Sequence, residues 1–111
     1  MSETKEQTRA QQLMGDFAPK LAELTDDVLY ADVWAREELS QRDRSLVTVA
    51  ALVANGNTQQ LPSHLKKAKA NGVTESELGE VMTHLAFYTG WPRAISAILV
   101  AKEVFAKDGE Q

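Results

Sequence analysis

An apolar run near the middle of the chain limits what this sequence can fold into more than any other feature. Residues 46–54 contain a single polar side chain, Thr48, and leave no polar face on a helical wheel. A helix that is apolar all round must be buried all round, and a chain of 111 residues has few other helices to surround it. Small side chains at Ala50, Ala51 and Ala54 would let another backbone approach closely. The run predicts a central helix that neighbouring copies of the chain help to cover; the alternative is the core helix of a monomer.

The remaining sequence predicts an all-α chain of about six helices. No stretch alternates strictly between apolar and polar residues, and strong helix formers such as alanine, leucine, glutamate and lysine dominate. We expect one domain over residues 1–111, with residues 1–6 frayed and an antiparallel hairpin of the fourth and fifth helices. The predicted helices cover about residues 5–17, 26–37, 40–54, 59–70, 74–89 and 93–107.

Capping and stop residues set these boundaries. The Ser40 hydroxyl can cap the third helix, where Asp43 favours the positive end of the helix dipole. Asn55-Gly56-Asn57 supplies the left-handed conformations that end it, and Thr74 with Glu77 forms a capping box for the fifth helix. The other predicted boundaries are Gly15 and Pro19 after the first helix, Thr25 or Asp26 before the second, Asn71-Gly72 after the fourth, and Gly90 and Pro92 around the start of the sixth.

Charge and composition argue against several classes of function. A net charge of −4 disfavours nucleic-acid binding, and the one dense basic cluster, Lys66, Lys67 and Lys69, is typical of a solvated helix face. The sequence has no cysteine, which excludes disulfides, thiolate metal sites and a peroxidatic thiol. The first twelve residues lack a secretory signal, and the longest apolar run is far shorter than the ~20 residues that span a bilayer. We therefore expect a cytoplasmic protein without nucleic-acid or membrane partners.

The fifth helix carries two distinct rows of side chains on a helical wheel. The core row is Leu78, Met82, Leu85, Ala86 and Thr89. The second row is Glu77, Val81, His84, Tyr88 and, if the helix continues, Trp91. Aromatic side chains with polar tips favour half-buried pockets or interfaces. The row therefore indicates either a pocket in which His84 and Tyr88 exchange protons or a subunit interface, and both can hold because interfaces often supply pockets.

Two further residues are candidates for binding or proton transfer. Arg93 follows Gly90-Trp91-Pro92 at the start of the sixth helix, where the helix dipole also favours anions, so it can bind a carboxylate or else be an exposed arginine without a particular partner. His64 is either a functional acid or a solvent-facing or partly buried histidine. Because His64 and His84 do not have metal-ligand spacing, we expect no metal site.

Three motifs in this sequence resemble the carboxymuconolactone decarboxylase family. They are Trp34-Ala-Arg-Glu-Glu-Leu39-Ser40-x-Arg42-Asp43-Arg44-Ser-Leu46-Val-Thr-Val-Ala50-Ala, His64-x-x-x-Ala68-x-x-Asn71-Gly72-Val73-Thr74-x-x-Glu77-Leu78-x-Glu80-Val81 and His84-x-Ala86-x-Tyr88-x-Gly90-x-Pro92-x-Ala94. The similarity extends over about residues 24–101. It implies an all-helical fold shared with alkylhydroperoxidase D, a homohexamer built as a trimer of dimers, and decarboxylation of 4-carboxymuconolactone.

The chain departs from the redox branch of that family. The branch has a Cys-x-x-Cys motif followed by a histidine and preceded by a glutamate. At the matching positions this sequence has Asn57 and Gln60 for the cysteines and Ser45 for the glutamate, and only the histidine, His64, is kept. Since neither an amide nor a hydroxyl can replace a thiolate in attacking a peroxide, we expect no thiol peroxidase activity.

The resemblance implies a cofactor-independent decarboxylase or related lyase that acts on a small carboxylated lactone. Loss of CO₂ leaves negative charge that must be delocalised and then protonated, which needs a cation or donor at the substrate oxygens and an acid near the carbon. The alternative is a non-catalytic oligomeric scaffold or small-molecule-binding protein; a redox protein with flavin or haem has no supporting motif. The candidate acids are His64, His84 and Tyr88, and the candidate substrate-binding residues are Arg93, Trp91, Arg42 and Arg44.

Overall fold

The computed structural model describes residues 6–109, and within that range it contains helices and no strand. This confirms the all-α prediction; the frayed start predicted for residues 1–6 lies almost wholly outside the described residues. Contacts divide the chain into two compact units, residues 6–39 and residues 40–109. The helices are α1 (Arg9–Met14), α2 (Pro19–Leu24), a π-helical segment (Thr25–Val33), α3 (Gln41–Asn55), α4 (Leu61–Ala70), α5 (Glu75–Thr89) and α6 (Trp91–Gly109).

The first helix is shorter than predicted at both ends. Its start at Arg9, instead of residue 5, is set by a capping box in which the Gln11 N–H donates to Thr8 Oγ1 at 3.1 Å and the Thr8 N–H donates to Gln11 Oε1 at 2.8 Å. Gly15 ends the helix as predicted. Pro19 does not follow a helix end but opens α2, because the first turn needs no hydrogen bond from its nitrogen.

The prediction of a second helix over residues 26–37 is wrong at both ends. α2 continues without a break into the π-helical segment, which ends at Val33. Thr25 is therefore inside a helix and is not a cap: its hydroxyl donates to the Leu21 carbonyl oxygen at 2.7 Å. Asp26 is not a cap either, although its carboxylate accepts a hydrogen bond from Thr8 Oγ1 at 2.7 Å within this unit.

The predicted caps at Ser40, Gly56 and Thr74 are confirmed, whereas α4 begins at Leu61, two residues later than predicted. The Asp43 N–H donates to Ser40 Oγ at 3.0 Å, and Gly56 ends α3 with a left-handed φ of 71°. Thr74 and Glu77 form the expected capping box at α5. The sixth helix begins at Trp91, two residues earlier than predicted, and extends to Gly109.

Four helices form the core of residues 40–109. The most extensive helix contacts are between α3 and α4 and between α5 and α6. We expected α4 and α5 to form a hairpin, but they make fewer contacts with each other than with α3 and α6. The core side chains are Val49, Val53, Leu61, Leu65, Ala68, Val73, Leu78, Met82, Ala97, Ala101 and Val104.

The apolar run of α3 is buried on one side only. Val49 and Val53 are 0% and 2% exposed, but Val47 is 61% exposed and Ala51 is also exposed. A single copy of the chain therefore leaves part of this helix uncovered. That neighbouring copies cover it remains a prediction.

Gly56→Ala should destabilise the fold by about 1–2 kcal/mol, because a left-handed conformation is unfavourable for a residue with a Cβ. A Cβ there would also lie 2.5 Å from Arg93 Nη1, so the arginine would have to move. The matched control is Gly79→Ala inside α5, where the added Cβ meets nothing within 4 Å. That change should stabilise the helix by about 0.5–1 kcal/mol. Urea unfolding of both variants measures the effects, and equal effects of the same sign would contradict this account of Gly56.

Candidate functional site

An open groove of about 510 Å³ lies between α3 and α5. Most of its lining is aliphatic, and four ionisable side chains are set into that surface. The lining residues are Arg42, Leu46, Val47, Ala50, Glu77, Glu80, Val81, His84 and Leu85. An apolar groove with a few convergent polar groups is the usual form of a small-molecule site.

Local sequence explains how these side chains reach the groove. The cap at Ser40 places Arg42 in the first turn of α3, and the cap at Thr74 places Glu77 in the first turn of α5. α5 then turns Leu78 and Met82 into the core, exposed by 0% and 1%, and presents Glu77, Val81 and His84 of its second row to the groove. The helical wheel predicted this division for those residues, whereas Leu85 of the predicted core row also lines the groove and Tyr88 and Trp91 of the second row do not.

An ion pair joins the two helices at this groove. Arg42 Nη2 donates to Glu77 Oε2, and Arg42 Nη1 lies 3.5 Å from Asp43 Oδ1. The other carboxylate oxygen, Glu77 Oε1, accepts the Thr74 N–H at 2.9 Å. The Thr74 backbone hydrogen bond, followed by the contacts with Arg42, lowers the pKa of Glu77. This carboxylate is therefore held in its charged form.

His84 and Tyr88 contact each other on α5. Their ring centroids lie 4.9 Å apart with an interplanar angle of 31°. His84 lines the groove and is exposed to solvent, whereas Tyr88 is 74% exposed and is not among the lining residues. The structure therefore brings Arg42 and His84 to one groove, with Tyr88 beside the imidazole.

The other predicted site residues lie elsewhere. Arg93 Nη1 lies next to Gly56, at the C-terminal end of α3. Trp91 is 55% exposed and makes an edge-on contact with Phe87, with ring centroids 5.0 Å apart. Arg44 and His64 are half-buried on α3 and α4, and neither lines the groove.

Sequence reasoning missed Glu80 as a groove residue. It stands four residues before His84, and residues at that spacing are neighbours on one helix face. The spacing was therefore the signal that would have found it. The apolar run of α3 is also more than the packing surface that the sequence predicts, because Leu46, Val47 and Ala50 form one wall of the groove.

A second groove, of about 430 Å³, lies on the other side of α5, against α6. It contains one lysine and one glutamate but no arginine or histidine, so it lacks the combination of a guanidinium and an imidazole that lines the α3/α5 groove. Its lining residues are Glu75, Gly79, Met82, Ile98, Ala101, Lys102, Phe105 and Ala106.

In residues 6–109 no group of three or more histidine, cysteine, aspartate or glutamate side chains is placed to hold a metal ion. No helix of the described chain is long and apolar enough to cross a membrane.

The surroundings of His64 predict that the free energy of unfolding of the chain depends on pH. Burial, and then the neighbouring charge of Lys67, lowers the pKa of His64 below its ordinary value of 6.5. Below pH 6.5 the unfolded chain therefore takes up a proton at this residue more readily than the folded chain does. The stability that neutral His64 provides is present above pH 6.5 and is lost as the pH falls towards the folded pKa. His64→Gln should lose less stability between pH 7.5 and 5.5 than the unchanged chain in urea unfolding; identical pH profiles would contradict this assignment.

Comparison with known proteins agrees with the motifs in the sequence. The model of the carboxymuconolactone decarboxylase family matches residues 19–103. The chain belongs to the carboxymuconolactone decarboxylase family. The matched segment contains α2 to α5 and therefore every residue of the α3/α5 groove.

Two curated relatives of this family member are named as decarboxylases. It is 36% identical over 101 residues to a 4-carboxymuconolactone decarboxylase of Acinetobacter baylyi, an alignment that covers 91% of this chain and 75% of the relative. It is 35% identical over 81 residues to the nitrosuccinic acid decarboxylase npaB of Metarhizium robertsii, covering 73% of this chain and 57% of the relative. An uncharacterized protein of Paracoccus denitrificans is 26% identical over 87 residues, covering 77% of this chain and 65% of that protein. The names of the first two relatives support a decarboxylase-like family.

Proposed function

We propose that this chain is a cofactor-independent decarboxylase that acts on a small carboxylated lactone in the α3/α5 groove. The observation that carries the proposal is that the Arg42 guanidinium and the His84 imidazole both line one largely aliphatic groove. Two relatives named as decarboxylases support the reaction type. The lactone is the substrate that the family resemblance implies.

The groove supplies the groups that such a reaction needs. Arg42 binds a carboxylate or lactone oxygen through charge-assisted hydrogen bonds. The bond between the carboxylate carbon and the ring then breaks, CO₂ leaves, and the electron pair is delocalised into the unsaturated lactone. His84 delivers a proton to the ring carbon and recovers one from solvent.

The proposal is tested by incubating the purified chain with 4-carboxymuconolactone and related carboxylated lactones while measuring CO₂ release. We expect turnover, and we expect His64→Gln to retain it because His64 lies outside the groove. A ligand that raises the unfolding temperature without forming product would support a small-molecule-binding protein instead. Absence of both turnover and binding with every lactone would overturn the proposal.

We also propose that the active form is a homo-oligomer, a hexamer as the resemblance implies. The support is a continuous set of exposed apolar side chains from the end of α5 along α6. They are Phe87, Tyr88, Trp91, Ile95 and Leu99, exposed by 75%, 74%, 55%, 48% and 60%. Because Tyr88 also contacts His84, a copy that covers this surface would lie close to the groove. Analytical ultracentrifugation should show an assembly, and a stable 12.2 kDa species at micromolar concentration would contradict it.

A further inference from the structure

The carboxylate of Glu77 has two separate tasks in this structure. Its Oε1 accepts a hydrogen bond from the Thr74 N–H and so completes the α5 capping box. Its Oε2 accepts a hydrogen bond from Arg42 Nη2. A helix cap needs only one of these oxygens. The second oxygen is directed to a cation that lines the groove, although α3 and α5 are separated by many residues in sequence.

This arrangement orders a side chain that would otherwise be mobile. A free arginine has many rotamers, and fixing it when a ligand binds costs conformational entropy. Here the capping box holds the Glu77 carboxylate, and that carboxylate holds the guanidinium of Arg42. A ligand then meets a guanidinium that is already in place, which favours binding.

We infer that Glu77 is a positioning residue that holds Arg42 ready for the substrate carboxylate, an inference that rests on the proposed function. Arg42 contacts the substrate, and Glu77 acts only through Arg42. Glu77 also sets specificity, because it keeps the guanidinium in one orientation and so favours substrates whose carboxylate matches that orientation.

The chain offers a matched pair of variants for the test. Glu77→Gln keeps the capping box, since glutamine also fills this position in capping boxes. It removes the charge that pairs with Arg42 Nη2 and leaves Asp43 as the other carboxylate beside the guanidinium. Glu75→Gln removes one negative charge from the same helix turn but leaves Arg42 untouched, because Glu75 pairs with Lys69 and lines the α5/α6 groove. Both variants lose one negative charge in the first turn of α5, where a negative charge interacts favourably with the helix dipole, so this effect is the same in both.

Two measurements on these variants decide the inference. The first is steady-state kinetics with 4-carboxymuconolactone, in which Glu77→Gln should raise KM by about tenfold, the cost of losing a preorganised ionic contact, with a much smaller change in kcat. The second is the NMR order parameter of the Arg42 Nε–H group without ligand, which should fall in Glu77→Gln. In Glu75→Gln, both KM and the order parameter should match those of the unchanged chain.

A double variant separates positioning from a structural role. When Arg42→Lys has already removed the forked guanidinium, adding Glu77→Gln should raise KM far less than it does alone, because the two residues act as a unit. Additive effects, or an unchanged Arg42 order parameter in Glu77→Gln, would overturn the inference. If the order parameter falls but no lactone is turned over, Glu77 still positions Arg42 and it is the proposed reaction that fails.

Discussion

His84→Gln is expected to lower kcat for 4-carboxymuconolactone by about 10²- to 10⁴-fold, the usual contribution of a positioned general acid. Glutamine fills similar space and can form hydrogen bonds, but it cannot deliver a proton. Because His84 is exposed, the substitution should leave the unfolding temperature almost unchanged. KM should also change little if Arg42 provides most of the binding.

The control for this prediction is His64→Gln, which changes the chain's other histidine. It is half-buried on α4 and does not line the groove, so its loss should leave kcat within a few-fold of the unchanged chain. A larger loss of kcat in His64→Gln than in His84→Gln would show that the acid is His64 on α4 and not His84 in the α3/α5 groove. The two variants therefore distinguish His84 from His64 as the acid.

Leu78→Ala is expected to destabilise the fold by about 2–5 kcal/mol, the range for truncating a buried leucine. Leu78 is 0% exposed and belongs to the core between α3, α4, α5 and α6, so alanine would leave a cavity among side chains that cannot fully close it. Urea unfolding monitored by circular dichroism gives the change in the free energy of unfolding.

Val81→Ala is the matched substitution on the other row of α5. Val81 is half-buried and faces the groove, so its truncation should cost less than about 1.5 kcal/mol while changing the apolar wall that a ligand would contact. If Val81→Ala destabilised the fold as much as Leu78→Ala, the groove would be part of the core, and the division of α5 into a core row and a groove row would be wrong.

Helices in residues 40–109 could be predicted because their ends carry local signals. Ser40, Gly56 and the Thr74–Glu77 capping box each act through neighbours in sequence, and all three end or begin helices as predicted. In residues 6–39 the Thr8–Gln11 capping box is a local signal of the same kind, and it starts α1 at Arg9. The continuation of α2 into a π-helical segment has no comparable local signal, so the second helix was misplaced.

The candidate site was predicted where helix periodicity or a family motif indicates it. The row on α5 led to His84, which lines the groove, and to Tyr88 beside it, and the family motif led to Arg42. Arg93 was expected near the same substrate, but its long side chain lies beside Gly56, a contact set by packing between distant parts of the chain. For the same reason, the pairing of Arg42 with Glu77 could not be derived from either helix alone.

The most direct test of the α3/α5 groove as the active site is a methyl NMR titration of His84→Gln with 4-carboxymuconolactone. The variant binds without turnover if His84 is the acid, and both grooves contain methyl groups that report on a ligand. We expect the largest shift changes at Leu46, Val47, Val81 and Leu85, which line the α3/α5 groove. Changes centred on Met82, Ile98 and Ala101 would place the ligand in the α5/α6 groove and contradict the account.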